Sequence, residues 1–365
     1  MLTRVSRLRT SPTIGFLVLA AACAFAVHAA GAAVPDRLTN QEFWRLASDF
    51  SEPDGTFHSE NLLSNEARFQ DVMPRLVQVA PVGKAGHAYV GVGPEQNFTY
   101  IVALKPDIAF IVDIRRGNLD LHLMYKALFE LSADRADFVS RLFARKRPAG
   151  LTTTSTIAQI FTAIEAAPPS DALYQQNLKA IDDHLTKTHG FGLSPNDFKG
   201  IEFVYNSFFT DGPAIHYELT GGFGRGGGFP TYADLMAATD QGGHQWSYLA
   251  TEASFKYLKD LETRNLIVPV VGNFGGPKAL RAVAGYLKQK QEIVGAFYVS
   301  NVEQYLRQDR IWNIFCANAA TMPLEPASTF IRSTRGGFAG VPVSGPGFNN
   351  ALAPIQEDVK NCSAR

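Results

Sequence analysis

Residues 88–114, AYVGVGPEQNFTYIVALKPDIAFIVDI, contain the pattern from which the fold class can be predicted. An apolar run ends in Gly91-Val92-Gly93, a helix-like stretch follows over 98–104, and a second apolar run covers 108–114. Short continuous apolar runs predict strands that are buried on both faces, as in a parallel sheet. The stretch therefore predicts a strand–helix–strand unit in which Asp113 ends the second strand.

Further apolar runs continue this pattern towards the C-terminus. They predict strands at 266–271, 293–300 and 330–332, with helices between them. Pro269 suits a central strand poorly, because proline lacks the backbone donor of the strand ladder. We therefore predict an α/β protein: a Rossmann-like, doubly wound, mostly parallel sheet with a large helical insertion at about 118–264.

The first 32 residues have the layout of a secretory signal peptide. Residues 1–32 carry three arginines and no acidic residue, and the apolar run over 14–27 is followed by small residues. This run is shorter than the roughly 20 residues that span a bilayer. We expect export to the periplasm or the extracellular space. The alternatives are an uncleaved membrane anchor, which would hold the protein near the membrane, a lipid on Cys23, and an unexported chain. The body then divides into a Rossmann-like domain over 33–330 and a C-terminal tail over 331–365.

Composition excludes several classes of protein. The 34 Lys and Arg residues balance 34 Asp and Glu residues, and 46% of the chain is hydrophobic. Such a chain is too apolar to be disordered, and it lacks the basic excess that nucleic-acid binding requires. We predict a small-molecule ligand, no nucleic-acid partner and no metal. Cys316 and Cys362 remain after the signal peptide and are candidates for a disulfide, with two free thiols as the alternative.

The glycines of the strand-to-helix turn predict a nucleoside site. Gly91 and Gly93 lie between a predicted strand and a predicted helix, and Asp113 follows 20 residues after Gly93. Such glycines let a ligand approach the backbone, and an acid at the next strand end accepts hydrogen bonds from ribose hydroxyls. The alternative is a tight turn followed by a solvated aspartate.

The turn favours a ligand without phosphate. Gln96 stands where the dinucleotide motif has its third glycine, Pro94 removes one backbone donor, and Glu95 would repel a pyrophosphate. The same carboxylate would attract the sulfonium and ammonium groups of S-adenosylmethionine. We therefore expect S-adenosylmethionine rather than NAD or FAD. The predicted cofactor-binding residues are Gly91, Gly93, Glu95, Gln96, Asn97, Asp113 and Arg115.

The order of strand, GxG turn, helix and strand with a terminal aspartate resembles class I S-adenosylmethionine-dependent methyltransferases. The resemblance is best over 88–113, and it implies a Rossmann-like fold that transfers a methyl group. Methyltransferases usually have an acid two positions before the first glycine, where this chain has Tyr89. The wording GVGPEQNF, VDIRRGNLDLHLMYKALFELS and FYVSNVEQYL also resembles a bacterial family of uncharacterised proteins, which implies no reaction.

Polar residues that follow the predicted strands are candidates for chemistry. Asn273 lies where the methyltransferases that this chain resembles have a polar loop at the methyl-acceptor site. The alternative is a loop that only enters a helix, with Pro277 at its first position. Glu303 is the best candidate for a general base. The predicted catalytic residues are Glu303, Asn273 and Tyr298. The predicted substrate-binding residues are Arg116, Asn118, His122, Lys126 and Asn301, with a solvated helix face as the alternative for the first four.

Two readings of the function follow. The first is a methyltransferase-like protein that binds S-adenosylmethionine or a related nucleoside, with an unknown acceptor. The alternative is an exported binding or assembly protein on a catalytically silent Rossmann-like fold, because an exported enzyme would lack this cytosolic methyl donor.

His184 and His189 are five residues apart, which places them on different faces of an α-helix, and we expect both at the surface.

Overall fold

The structure, a computed structural model, describes residues 1–2, 33–218, 229–335 and 348–362. The chain from residue 32 onward forms one compact unit. The predicted signal peptide, apart from its first two residues, and the glycine-rich sequence GGFGRGGG at 221–228 lie outside the described residues. Within the described part, no helix is both long and apolar enough to cross a membrane.

A six-stranded sheet lies at the centre of the described residues. Its strands, in chain order, are β1 His87–Gly91, β2 Ile108–Asp113, β3 Ile267–Val271, β4 Ile293–Ser300, β5 Thr329–Arg335 and β6 Phe348–Pro354. They lie side by side in the order β3-β2-β1-β4-β5-β6. The first five are parallel to their neighbours, and β6 is antiparallel to β5. The prediction of an α/β protein with a mostly parallel sheet is confirmed at this level.

Helices occupy most of the remaining chain. They are α1 Asn40–Asp49, α2 Met73–Val79, α3 Gln96–Leu104, α4 Arg116–Leu131, α5 Arg135–Leu142, α6 Ile157–Ala166, α7 Asp171–Asp183, α8 Pro195–Asp211, α9 Tyr232–Ala237, α10 Glu252–Thr263, α11 Ala279–Lys290, α12 Val302–Gln308, α13 Trp312–Ala319 and α14 Ile355–Val359. Short 3-10 helices cover Phe69–Val72 and Gly212–Ala214, and a π-helix covers His184–Thr188. Helices α4 to α10 lie between β2 and β3, where the sequence predicts a helical insertion.

The proline in β3 lies at the edge of the sheet. Strand β3 pairs only with β2 among the described strands, and Pro269 lies opposite Ile111 in that ladder. Proline is tolerated on an edge strand because one side of the strand has no ladder partner. The residue that suits a central strand poorly therefore marks an edge.

Helix α4 is buried throughout its middle. Every residue from Asn118 to Phe129 is buried, because β3 and α10 pack against the helix and α8 covers it as well. Phe98 of α3 makes edge-to-face contacts with Tyr125 and Phe129 of α4, at ring-centroid distances of 5.3 and 5.5 Å. Such pairs stabilise the core beyond the burial of their area. No face of this part of α4 is left for solvent or for a cleft.

The prediction of a C-terminal tail over 331–365 is wrong for its described part. Strand β5 continues to Arg335, and β6 adds an antiparallel strand at the edge of the sheet. The sequence of β6, FNNALAP, contains two consecutive asparagines and ends in proline, so it gives no continuous apolar run of strand length. An antiparallel edge strand does not need one, because one of its edges and part of its faces can meet solvent.

Cys316 and Cys362 form a disulfide in the structure. It connects α13 to the residues after α14, and the two Cα atoms are 5.4 Å apart, within the usual range for a disulfide. Cys316 is buried, so the bond fixes the C-terminal segment to the core.

We expect this disulfide in protein purified from an oxidising compartment. Non-reduced, alkylated protein should show neither cysteine alkylated by mass spectrometry. Cys362→Ser should lower the free energy of unfolding by at most about 4 kcal/mol, the chain-entropy value for a loop of this length. Wild-type protein under reducing conditions is the control and should lose the same amount. Alkylation of both thiols in the non-reduced sample would contradict the expectation.

Candidate functional site

A cavity of about 490 Å³ opens at the carboxyl ends of the parallel strands. Its wall includes Gly93 after β1, Asp113 at the end of β2, Gly272 after β3 and Ser300 at the end of β4. Parallel strands end at a common edge, and this edge is where α/β proteins bind ligands. The volume suits a small organic molecule.

The structure separates the residues predicted for this site into two groups. The predicted residues that line the cavity are Gly93, Asp113, Arg115, Asn273, Tyr298 and Asn301. Those that do not line it are Gly91, Glu95, Gln96, Asn97, Arg116, Asn118, His122, Lys126 and Glu303.

The glycine turn is supported from inside the protein. Gly93 has a φ of +77°, which favours glycine, and a Cβ on Gly91 would lie 1.9 Å from Oδ1 of Asn97. The Asn97 amide donates hydrogen bonds to the carbonyl oxygens of Val92 and Pro94, at 2.9 and 2.8 Å. Asn97 therefore holds the turn in shape from behind, and the close approach that requires Gly91 is made by this side chain.

Glu95 lies in the core and does not line the cavity. It is fully buried, and its Oε1 accepts a hydrogen bond from the backbone N–H of Ser64 at 3.2 Å. Its Oε2 has no partner among the described residues. Burial raises the pKa of Glu95 to about 8, so the carboxyl is mostly protonated at neutral pH. The predicted attraction of Glu95 for a cationic ligand is corrected, because the side chain is turned away from the cavity and uncharged.

Glu66 is a cavity residue that sequence reasoning missed. It is buried, and its Oε1 accepts hydrogen bonds from Tyr298 at 2.8 Å and from Ser300 at 2.6 Å. Its Oε2 accepts from the amides of Gln96 and Asn350, both at 2.8 Å. Four donors compensate the burial of a charged carboxylate. Gln96 and Tyr298 therefore position Glu66, a role that no local sequence signal reveals.

Asp113 is engaged by its neighbour Arg115. Oδ1 of Asp113 accepts from the backbone N–H and from Nε of Arg115, at 2.9 and 3.1 Å, and Oδ2 accepts from Nη2 at 3.3 Å. Nη1 of Arg115 also donates to the carbonyl oxygens of Ser59 and Glu60. The predicted acceptor for ribose hydroxyls is thus already paired, within a buried ion pair on the cavity wall.

The polar residues of α4 do not face the cavity. Nε2 of His122 donates to the carbonyl oxygen of Gly93 at 2.9 Å, and burial lowers the pKa of His122 to about 4. Arg116 pairs with Asp197, with Nε and Oδ1 2.8 Å apart. Asn118 is buried, with an Oδ1 that has no partner in the described part of the chain. Lys126 is turned to the opposite end of the helix. The predicted substrate face is wrong for these four residues, because none of them lines the cavity. Three are buried beneath neighbouring elements, and the half-buried Arg116 is held by Asp197.

The predicted general base is also engaged elsewhere. The Glu303 carboxylate accepts hydrogen bonds from Arg332 and from Nε1 of Trp312, and it does not line the cavity. Asn273 does line it, and its Oδ1 accepts from the backbone N–H of Gly275 at 2.8 Å. Glu303 therefore does not form part of the cavity wall, whereas Asn273 is held in place there.

An aromatic group stands at the cavity mouth. Phe57 contacts His58 and Tyr305, with ring centroids 3.9 and 5.1 Å away. Tyr217 and Phe229 contribute a second aromatic pair at 5.2 Å. Burial lowers the pKa of His58 below its usual value. These rings offer flat apolar surfaces to a ligand.

The sheet and this cavity define an α/β protein with a ligand-sized cavity at the carboxyl ends of its strands. The chain belongs to the family described as a domain of unknown function, DUF7790, whose family model matches residues 62–359. The matched region contains all six strands and most of the described cavity wall. Four residues of the wall precede it: Thr56, Phe57, His58 and Asn61. No curated protein matches the sequence.

Proposed function

We propose that the protein binds a phosphate-free nucleoside of the S-adenosylmethionine kind in this cavity, on a Rossmann-like, doubly wound sheet. The strand order supports this proposal. Doubly wound Rossmann-like sheets have the order 3-2-1-4-5-6, and ligands bind where the chain reverses its direction across the sheet. The order here is the same, with an antiparallel last strand, and the reversal lies between β1 and β4, beside the cavity.

The charges of the cavity wall carry the choice of ligand. Glu66, Asp113 and Asp309 bring three carboxylates to the described wall, and Arg115 brings the one guanidinium. That guanidinium is already paired with Asp113. A pyrophosphate would meet negative charge without a free cation, whereas a sulfonium or ammonium group would be attracted. The expectation that S-adenosylmethionine is preferred to NAD therefore rests on the two wall carboxylates outside this ion pair, Glu66 and Asp309, instead of on Glu95.

The remaining wall suits a nucleobase and a ribose. The rings of Phe57 and Tyr305 can pack against a planar base. The side chains of Asn61, Asn65 and Asn301 supply amide donors and acceptors at the wall. A few polar groups among aromatic surfaces are typical of small-molecule sites.

A binding role without chemistry is the second candidate. Its support is that Glu303 and Asp113 are both engaged by arginines, which leaves neither carboxylate to accept a proton from a substrate. The N-terminal sequence that we interpret as a signal peptide favours the same candidate, because it would take the chain away from the cytosolic methyl donor. Subcellular fractionation separates the two: mature protein outside the inner membrane favours binding without methyl transfer.

We expect S-adenosylmethionine to bind at least about tenfold more tightly than NAD in isothermal titration. S-adenosylhomocysteine, which lacks the sulfonium charge, should bind more weakly than S-adenosylmethionine. Thr56 is exposed at the cavity mouth, and Thr56→Trp should fill the entrance and weaken binding by at least about tenfold. Thr153→Trp, at an exposed threonine outside the cavity, is the matched control and should bind like the wild type.

Three results would overturn the proposal. Tighter binding of NAD would show that the wall accepts phosphate. Equal weakening by both tryptophan variants would place the ligand elsewhere. Absence of binding by every nucleoside tested, in folded protein, would remove the nucleoside from the proposal altogether.

A further inference from the structure

The two histidines expected at the surface come together inside the protein. His184 and His189 begin and follow the π-helix His184–Thr188, and the backbone N–H of His189 donates to the carbonyl oxygen of His184 at 3.0 Å. This is the i to i+5 bond of a π-turn, so residues five apart lie on one face there. The expectation from α-helical spacing is wrong for this reason. Single π-turns are costly and occur frequently at functional sites.

Both imidazoles meet one carboxylate of α4. Nε2 of His184 and Nε2 of His189 each lie 2.8 Å from Oε2 of Glu130. The side chains of all three residues are at least 85% buried, and their ligand atoms lie within 4.8 Å of one another. Lys126 lies 2.8 Å from the other oxygen, Oε1, and leaves Oε2 to the histidines.

The hydrogen bonds behind His189 determine which of its nitrogens carries the proton. The Asn265 amide donates to the backbone carbonyl of Leu38 at 3.0 Å and to Oδ1 of Asn40 at 2.9 Å. A backbone carbonyl can only accept, so the amide orientation of Asn265 is fixed, and Asn40 presents its oxygen. Nδ1 of His189 lies 2.9 Å from that same oxygen and must donate to it.

With Nδ1 as the donor to Asn40, a neutral His189 imidazole directs the lone pair of Nε2 at Oε2 of Glu130. The 2.8 Å between these two atoms then requires a cation, either a second proton on His189 or a metal ion. We propose that Glu130, His184 and His189 bind a divalent transition-metal ion of the zinc class. Imidazole and carboxylate are ligands for such ions, and a metal-bound histidine commonly donates its other N–H to an oxygen, as His189 does to Asn40.

The dimensions of the cluster fit this ion after a small adjustment. Zinc bonds of about 2.0–2.1 Å in a tetrahedral site separate the ligand atoms by roughly 3.3 Å. The two Nε2–Oε2 distances of 2.8 Å would lengthen by about half an ångström on binding. Three protein ligands leave the fourth position to water.

The position of the cluster gives the ion a structural role. Glu130 lies near the C-terminal end of α4, whereas the cavity lies beyond the N-terminal end of that helix. The ion would join α4 to the π-helix, and Asn40 would extend the connection to α1. It would thus fasten part of the helical insertion to the body of the protein, independently of the nucleoside proposal.

Metal binding can be tested on the full chain, purified without a polyhistidine tag and stripped with a chelator. Isothermal titration with Zn²⁺ should show one ion per chain at a Kd of about 1 µM or tighter, and Zn²⁺ should raise the melting temperature. His184→Ala and His189→Ala should each weaken binding by at least about 100-fold, and Asn40→Ala by about 10- to 100-fold. His244→Gln, at an exposed histidine outside the cluster, is the matched control.

Cobalt provides a readout that does not depend on the variants folding. Wild-type protein titrated with Co²⁺ should develop the visible absorption of a tetrahedral site with nitrogen ligands. No such absorption, or no Zn²⁺ binding by the wild type, would overturn the proposal and leave a protonated His189 beside Glu130. Unchanged Zn²⁺ affinity in a folded His184→Ala/His189→Ala double variant would also overturn it.

Discussion

Asp113→Ala should lower the free energy of unfolding by about 3–5 kcal/mol. The reason is the buried Arg115 guanidinium, which would lose the carboxylate that accepts two of its hydrogen bonds and a third from the Arg115 backbone N–H. The carbonyl oxygens of Ser59 and Glu60 would remain as partners but would not neutralise its charge. A buried charge without its counter-ion is strongly destabilising. Urea unfolding at neutral pH measures the effect.

A double variant distinguishes the ion pair from simple loss of packing. Asp113→Ala/Arg115→Met removes both charges, and it should be more stable than Asp113→Ala alone by about 1–3 kcal/mol. Asp309→Ala, at an exposed carboxylate of the same cavity, is the control and should change stability by less than about 0.5 kcal/mol. A loss below about 1 kcal/mol for Asp113→Ala would show that Arg115 does not depend on this carboxylate.

Glu95→Gln should remove one proton from the pH dependence of stability. The folded-state pKa of Glu95 is raised to about 8 by burial, against an ordinary value of 4.5. Between these two pKa values the folded protein holds a proton that the unfolded chain lacks. The contribution of Glu95 to stability is therefore greatest below the lower pKa. Between the two pKa values it falls by roughly 1.4 kcal/mol for each unit that the pH rises.

The summed effect of Glu95 by pH 8 is on the order of 5 kcal/mol, if the carboxyl keeps its buried position. Urea unfolding from about pH 5 to about pH 8 should give a slope for Glu95→Gln that is shallower than the wild-type slope by roughly 1.4 kcal/mol per pH unit. Burial also raises the pKa values of Asp120 and Glu262 to about 8, so the variant should keep part of the dependence.

Glu60→Gln is the control for the charge change, because Glu60 is an exposed glutamate whose side chain makes none of these contacts. Its slope should equal that of the wild type. A Glu95→Gln slope that also equals the wild-type slope would show that water reaches the Glu95 carboxyl in the folded protein.

Five of the six strands could be predicted from the sequence, and so could the edge of the sheet at which the cavity opens. The apolar runs over 108–114 and 293–300 are strands β2 and β4, because residues buried on both faces leave a continuous local pattern. The GxG turn and the acid at the end of β2 do lie at the carboxyl edge of the sheet. Strand β6 was not predicted, since an edge strand of mixed polarity has no such pattern.

The contacts between polar side chains became visible only in the folded protein. The four donors to Glu66 come from α3, from β4 and from β6, far apart in the sequence. Glu95 is buried in the core, and His122 donates a hydrogen bond to the carbonyl oxygen of Gly93. Neither contact could be predicted, because the surroundings of a side chain depend on what packs against its helix. Glu130 meets His184 and His189 only because a π-turn changes the residue spacing that α-helical geometry would predict. Burial can be predicted from a local pattern of apolar residues. Hydrogen-bond partners depend instead on which distant residues the fold brings together, and no local pattern shows this.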